Sequence, residues 1–136
     1  MNLGKYDNLI KQALTVRDNA YAPYSKYRVG SALMTKGGAI YTGCNVENAA
    51  YGETICAERV ALTKAVSEGE RDFAAICVVG GIDGVKDFAF PCGACRQVMS
   101  ELCPPSLRIV LFDGTNVKVC TLGELFPASF GKGNIQ

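Results

Sequence analysis

Two short stretches, Cys56-Ala57-Glu58-Arg59 and Pro91-Cys92-Gly93-Ala94-Cys95-Arg96, decide how the rest of the sequence is interpreted. Together they hold three thiols and one carboxylate. A catalytic zinc ion takes three protein ligands and leaves its fourth tetrahedral position for water. Because the chain contains no histidine, a zinc site must draw on cysteine. The predicted ligands are Cys56, Cys92 and Cys95, and Glu58 is the predicted group that moves protons.

The cysteine content supports a metal site rather than a disulfide framework. The chain has seven cysteines, an odd number, and its N-terminus lacks the apolar core of a signal peptide. Reduced thiols are therefore expected. The four cysteines outside the two stretches lie in or beside apolar runs, and we expect them to be small buried residues. They are Cys44, Cys77, Cys103 and Cys120.

Length and charge exclude several classes of protein. A chain of 136 residues is the size of one ordinary domain, so residues 1–136 are predicted to form a single domain. The net charge is +1, from 14 basic and 13 acidic residues, which does not suit binding to nucleic acid. No apolar run approaches a membrane span. We expect a cytoplasmic protein.

Hydrophobic periodicity predicts alternating helices and strands. A first helix is expected from about residue 4 to 20, and a hairpin follows around the turn at 36–38. The continuous apolar run at 73–79 indicates a central strand that is covered on both faces. The predicted strands are 27–35, 39–44, 73–79, 107–112 and 117–120.

The remaining helices are predicted from capping signals. Thr54 is expected to cap a helix that ends near Gly69. Pro91 suits the first position of the next helix, and Thr121 and Glu124 have the capping-box spacing for a short final one. The resulting fold class is α/β, a three-layer α/β/α sandwich around a five-stranded mixed sheet. Both ligand-bearing helices should begin at the ends of neighbouring strands and converge at one edge of the sheet.

The spacing within the two stretches constrains the site. Cys92 and Cys95 lie three residues apart, on one side of a helix, whereas Cys56 and Glu58 lie two apart and would face different ways in a regular helix. Cys56 must therefore lie in an irregular first turn. Three thiolates leave zinc with a net negative charge, so we expect Arg59 or Arg96 to donate hydrogen bonds to cysteine sulfurs.

Taken singly, these features have simpler explanations. A lone Cys-x-x-Cys also occurs in redox dithiols and structural zinc sites. Glu58 could be a first-turn carboxylate that the helix dipole favours, and Arg96 could pair with a surface acid. The redox interpretation expects a thioredoxin-like start of the chain, which is missing. The combination of both stretches favours a catalytic site.

The sequence resembles the small cytidine deaminases over nearly its whole length. The resemblance is carried by Cys-Ala-Glu-Arg at 56–59 and Pro-Cys-Gly-Ala-Cys-Arg-Gln at 91–97, with Tyr-Ser-Lys-Tyr at 24–27 and Gly-Cys-Asn-Val-Glu-Asn-Ala at 43–49. It implies a zinc-dependent enzyme of pyrimidine salvage that converts cytidine and deoxycytidine to uridine and deoxyuridine with release of ammonia. In such enzymes a metal-activated water attacks the ring carbon, and a glutamate that is not a ligand moves the protons.

The resemblance also implies roles for residues around the metal. Cys56, Cys92 and Cys95 would together ligate a single zinc ion in each chain. Glu58 would protonate ring N3 and then the leaving amine. Asn45 and Glu47 match the residues that hold the ribose hydroxyls. Because a carboxylate there would repel a phosphate, the implied substrate is the free nucleoside.

Further matches concern the base and the neighbouring subunits. The backbone of Ala57 is expected to hydrogen-bond the base, and Tyr27 stands where the family usually has a stacking phenylalanine. The implied assembly is a homotetramer in which Tyr51 and Phe130 complete the pockets of adjacent chains. Phe90 departs from the family's usual serine, which bears on local packing.

Two other functions remain open. One is a module with structural zinc that binds single-stranded RNA, which would need a basic groove with stacking aromatics. The nearer alternative is a deaminase of another aminopyrimidine nucleoside, such as an antibiotic. The pair Asn45 and Glu47 favours a substrate with a ribose.

Overall fold

The computed structural model describes residues 4–135, which build a five-stranded sheet in the order β2-β1-β3-β4-β5. Strand β1 is antiparallel to both β2 and β3, β3 and β4 are parallel, and β4 and β5 are antiparallel. The predicted mixed sheet is confirmed. Its strands are β1 Arg28–Thr35, β2 Ile40–Cys44, β3 Phe73–Gly81, β4 Arg108–Phe112 and β5 Val117–Thr121.

Helices cover both faces of the sheet and so give the predicted three layers. They are α1 Asp7–Arg17, α2 Ala57–Ser67, α3 Gly93–Leu102 and the short α4 Leu122–Leu125. Helix α1 packs on one face through Leu9, Ile10 and Ala13. Helices α2 and α3 pack on the other face, where Leu62 and Met99 belong to one apolar cluster.

Strand β3 is the middle strand, and its side chains alternate between the two cores. Ala75, Cys77 and Val79 point into the cluster under α1, while Ile76 and Val78 point into the cluster under α2 and α3. All five are at most 1% exposed. This burial on both faces explains why the sequence of β3 is continuously apolar rather than alternating.

The prediction that the ligand-bearing helices follow neighbouring strands is wrong. Helix α2 follows β2 and α3 follows β3, but β1 lies between these two strands. The hairpin places β1 inward, and the connection through α2 passes over it. Because β2 and β3 are both antiparallel to β1, they run in the same direction, and both helices still begin at the same edge of the sheet.

Several predicted details also differ from the structure. The first helix is shorter than residues 4–20 and is preceded by a 3-10 turn at Gly4–Tyr6. Cys56, not Thr54, occupies the N-cap of α2, and the Thr54 hydroxyl accepts a hydrogen bond from the Asn48 N–H instead. Pro91 precedes the N-cap of α3, which is Cys92.

Two further expectations concern the small final helix and the cysteines outside the cluster. The capping box of Thr121 and Glu124 is present. Cys77, Cys103 and Cys120 are buried as expected, but Cys44, at the end of the outermost strand β2, is partly exposed. Among residues 4–135, no helix is both long enough and apolar enough to cross a membrane.

A glycine sets how closely α2 approaches the sheet. A Cβ atom on Gly43 of β2 would lie 2.5 Å from the Ala57 carbonyl oxygen and 2.6 Å from the Ala61 nitrogen. Both are backbone atoms of α2, which cannot rotate away as a side chain would. The first turn of α2 can therefore lie against β2 only because residue 43 has no side chain.

We expect Gly43→Ala to lower the free energy of unfolding by about 1–3 kcal/mol, because the added methyl group overpacks this contact. Urea denaturation would measure the loss. The matched control is Gly37→Ala in the β1–β2 turn, where the nearest atom to a new Cβ is the Thr35 hydroxyl at 3.8 Å. Equal stability of the two variants would contradict the prediction.

Candidate active site and metal centre

Three cysteine sulfurs converge at the N-termini of α2 and α3. Cys56 and Cys92 are the N-cap residues of these helices, and both have extended backbone, with ψ of 152° and 170°. The Sγ atoms of Cys56 and Cys92 are 3.7 Å apart, and those of Cys92 and Cys95 are 3.4 Å apart. All three lie within 4.8 Å of one another.

This spacing fits a zinc ion. Sulfur ligands about 2.3 Å from a tetrahedral ion lie about 3.8 Å from each other, close to the observed separations. Three thiols with no nearby histidine form a donor set that is typical of zinc, and three protein ligands leave one tetrahedral position for water or substrate. The predicted ligand residues are thus brought together at one point.

The protein environment prepares Cys56 to bind a cation. Hydrogen bonds from the thiol of Cys95, from Arg59 and from the thiol of Cys92 lower the pKa of Cys56 to about 5. The pKa of Cys95 is raised, since its thiol donates to Cys56 and is buried. The sulfur of Cys92 also accepts from the Cys95 N–H. These contacts, and the positive ends of two helices, stabilise negative charge at the cluster.

The two candidate arginines behave differently. Arg59 Nη2 lies 3.5 Å from the sulfur of Cys56 and 3.4 Å from the Thr54 carbonyl oxygen. Arg96 instead donates to the carbonyl oxygens of Pro91 and Leu125, at 2.8 and 2.7 Å. Arg96 therefore joins the segment before α3 to α4, and among residues 4–135 it forms no ion pair with a surface acid.

Glu58 lies in the first turn of α2 beside the cysteine cluster. It is only 4% exposed, and this burial raises the pKa of its carboxyl group to about 7. A carboxyl group with a near-neutral pKa can both take up and release a proton at physiological pH. The backbone of Cys56 is extended rather than helical, so Glu58 and the Cys56 sulfur can face one cavity although they are only two residues apart. This agrees with the expectation that Cys56 lies outside the regular part of the helix.

That cavity has a volume of about 240 Å³ and collects most of the predicted site residues. Its lining includes Tyr27, Asn45, Glu47, Cys56, Ala57, Glu58 and Cys92. Its wall also contains residues that the sequence did not indicate individually, among them Val29 and Val78. Those two belong to apolar strands, and no sequence signal shows which apolar strand residues border a cavity.

Asn45 is buried and already fixed by two hydrogen bonds. Its Oδ1 accepts from the Val29 N–H at 2.8 Å, and its Nδ2 donates to the Tyr27 carbonyl oxygen at 2.8 Å. A primary amide has a second N–H and a second acceptor site on its oxygen. Asn45 therefore positions the start of β1 and keeps one N–H and one acceptor site for further partners.

Glu47, like Asn45, lines the cavity and is held by hydrogen bonds to a neighbouring segment. Its Oε1 accepts from the backbone N–H groups of Tyr24 and Ser25, at 3.0 and 3.1 Å, and its Oε2 accepts from the Ser25 hydroxyl. These bonds, the Ser25 hydroxyl above all, lower the pKa of Glu47. The carboxylate is thus ionised near neutral pH and orders the segment at 24–27.

Two aromatic side chains line the cavity. Tyr27 is 38% exposed, and burial followed by the charge of Asp87 raises the pKa of its hydroxyl. Phe90 is 45% exposed, and the Lys118 Nζ lies 5.7 Å from its ring centre. Phe90 is therefore part of the cavity wall, a role that the sequence does not indicate.

Tyr51 and Phe130 do not line this cavity within one chain. Tyr51 is 77% exposed, contacts Tyr24 edge to face and borders an adjoining cavity of about 400 Å³. Phe130 is 58% exposed and lies beside α3, where its carbonyl oxygen accepts from Gln97. Their assignment to the pockets of adjacent chains stays a prediction.

Comparisons with known proteins agree with this geometry. Residues 4–111 match the family model described as the cytidine and deoxycytidylate deaminase zinc-binding region. A cytidine deaminase of Halalkalibacterium halodurans is 50% identical over 123 residues, which are 90% of this chain and 91% of that protein. A blasticidin-S deaminase of Bacillus cereus is 30% identical, and the alignment covers 95% of each chain.

A solved structure shares the fold as well. The crystal structure of cytidine deaminase from Burkholderia pseudomallei superimposes with a TM-score of 0.86 at 48% identity, covering 93% of this chain and all of that one. The family match at residues 4–111 includes the segments that carry the cysteine cluster and Glu58. The family model matches most of the chain, and relatives are found both by sequence and by structure. The chain therefore belongs to the zinc-binding cytidine and deoxycytidylate deaminase family.

Proposed function

We propose that the protein is a zinc-dependent cytidine deaminase, which hydrolyses cytidine and deoxycytidine to uridine and deoxyuridine with release of ammonia in pyrimidine salvage. The observation that carries the proposal is the buried Glu58 beside three converged cysteines, in a cavity that also holds Asn45 and Glu47. The names of the relatives support the same reaction.

Cys56, Cys92 and Cys95 would hold the zinc ion, one per chain. When bound, zinc supplies the Lewis acidity that turns water into a nucleophile at neutral pH. The other steps belong to the chain itself. Glu58 accepts the proton of the attacking water, delivers it to ring N3 and then moves a proton to the leaving amine, so that cytidine and water give uridine and ammonia.

The remaining residues would orient the nucleoside. Tyr27 offers an aromatic face to the base, and the backbone of Ala57 would hydrogen-bond the base at the start of α2. The free hydrogen-bonding capacity of Asn45 and Glu47 suits ribose hydroxyls. Arg59 would hold the Cys56 sulfur in place and offset the negative charge of three thiolates.

The charge of Glu47 favours a nucleoside over a nucleotide. Its carboxylate is ionised, partly exposed and located at the ribose end of the cavity in this assignment. A phosphate group brought to this end would be repelled. The near-neutral chain likewise gives no support to an RNA-binding module, which needs a basic groove.

A second candidate substrate is an antibiotic nucleoside with an aminopyrimidine base. The observation that favours it is the blasticidin-S deaminase relative, which aligns with nearly the whole chain. The higher identity to cytidine deaminases makes cytidine the first candidate.

The assembly and compartment are part of the same proposal. We expect one domain over residues 1–136, of which 1–3 and 136 lie outside the described residues, a homotetramer and a cytoplasmic location. The exposed Tyr51 and Phe130 are then contributors to the pockets of neighbouring chains.

Substrate choice can be tested directly on the purified zinc-loaded protein. We expect turnover of cytidine and deoxycytidine, and turnover of cytidine monophosphate at least about 100-fold weaker because its phosphate is repelled. Ammonia release and the change in ultraviolet absorbance would measure both, with blasticidin S run in parallel. Turnover of blasticidin S alone would move the assignment to the antibiotic.

Replacing Glu58 separates proton transfer from metal binding. We expect Glu58→Gln to lower kcat by about 10²–10⁴-fold, since the amide cannot carry a proton, while the zinc content stays at one per chain. Kinetics and metal analysis on the same sample measure the two effects. The control is Glu68→Gln at the other end of α2. Loss of zinc from Glu58→Gln would mean that Glu58 is a ligand.

The role of Arg59 predicts a smaller effect. We expect Arg59→Gln to lower zinc affinity or kcat/KM by about 10–100-fold, as is common for residues that hold a metal ligand. A competition assay with a chelator would measure the affinity. Arg71→Gln is the control, because Arg71 donates to carbonyl oxygens at the far end of α2. Unchanged affinity and turnover would remove Arg59 from the site.

A further inference from the structure

The nucleoside cavity is the cavity of about 240 Å³ that Tyr27, Asn45 and Glu58 line. Part of its wall packs against a glycine in the central strand. Gly80 of β3 pairs in register with Val29, two residues after Tyr27. A Cβ atom on Gly80 would lie 3.0 Å from Cε1 of Tyr27, 3.2 Å from its hydroxyl oxygen and 3.2 Å from the Cβ of Ala89. These distances are shorter than ordinary van der Waals contacts, so the Tyr27 ring occupies the space that a side chain would need.

The backbone conformation at position 80 does not require a glycine. Positive φ angles occur at five described glycines of the chain, including Gly84 in the following loop, but Gly80 is not among them. Its strand conformation is open to any residue. What residue 80 provides is therefore space, and the groups that fill this space are Tyr27 and Ala89, which both line the nucleoside cavity.

The position of Tyr27 affects more than its own contacts. Its ring also borders a second cavity of about 270 Å³, formed with Gly80, Asp87 and the loop between them. Tyr27 is thus a partition between this second cavity and the nucleoside cavity. A displacement of Tyr27 changes the width of the nucleoside cavity, because Tyr27 is itself part of the lining of that cavity.

We propose that Gly80 is a positioning residue for substrate binding, which sets the width of the nucleoside cavity by letting the Tyr27 ring lie against β3. The inference rests on the proposed function. It assigns Gly80 no chemistry of its own, since Gly80 acts through Tyr27. A larger residue at this position should weaken binding of the nucleoside and leave proton transfer by Glu58 nearly intact.

A double-mutant cycle tests this contact. The variants are Gly80→Ala, Tyr27→Leu and the double variant, with Gly37→Ala as a control for the glycine substitution. We expect Gly80→Ala to raise KM for cytidine about tenfold, a typical effect of one misplaced methyl-sized group in a pocket, and to change kcat by less than about threefold. In the Tyr27→Leu background the two contacted atoms of the tyrosine are absent and, of the three close contacts, only that with the Ala89 Cβ remains. Gly80→Ala should then change KM by less than about twofold.

The outcomes are decisive for each variant. An unchanged KM in Gly80→Ala, or the same factor in both backgrounds, overturns the inference. If Gly80→Ala does not fold, recovery of folding in the double variant supports it, and failure of both overturns it. Absence of cytidine turnover by the unsubstituted protein refutes the proposed function and this inference with it, whereas normal turnover with an unaffected KM in Gly80→Ala refutes the inference alone.

Discussion

The meeting of two helix N-termini at one point is the constraint on which the site depends. Cys56 and Cys92 are both N-cap residues with extended backbone, so each sulfur projects ahead of its helix rather than along its side. Their 3.7 Å separation requires β2 and β3 to run in the same direction and α2 to lie close against β2 at Gly43. A shift of either helix by a fraction of a turn would separate the sulfurs beyond the reach of one ion.

This arrangement concentrates charge, and the surroundings balance it. Three thiolates around a divalent cation carry a net negative charge, which the helix N-termini and the Arg59 guanidinium offset. Glu58 lies in the same region with almost no exposure, an unfavourable place for a carboxylate. The burial that costs stability is also what raises its pKa to about 7, and so it suits proton transfer.

The sequence predicted the parts of the structure that depend on local chemistry. The mixed sheet, the central β3 and the cysteine cluster follow from hydrophobic pattern and from ligand type. The position of β1 between β2 and β3 could not be predicted, because a hairpin can turn inward or outward with the same residues. The caps at Cys56 and Cys92 were missed because sulfur is a weak acceptor, and Thr54 and Pro91 carry stronger capping signals.

The hydrogen bonds of Asn45 and Glu47 show a feature that no sequence pattern indicates. Both side chains hold the segment at 24–29 in place, through hydrogen bonds with the backbone of Tyr24, Ser25, Tyr27 and Val29. The groups proposed to bind the ribose are thereby linked to the aromatic wall proposed to bind the base. Such preorganisation lowers the entropy lost on binding, since few side chains need to be ordered. A change at Asn45 or Glu47 would therefore also disturb the Tyr27 wall, so the proposed ribose contacts and the proposed base contact are structurally coupled.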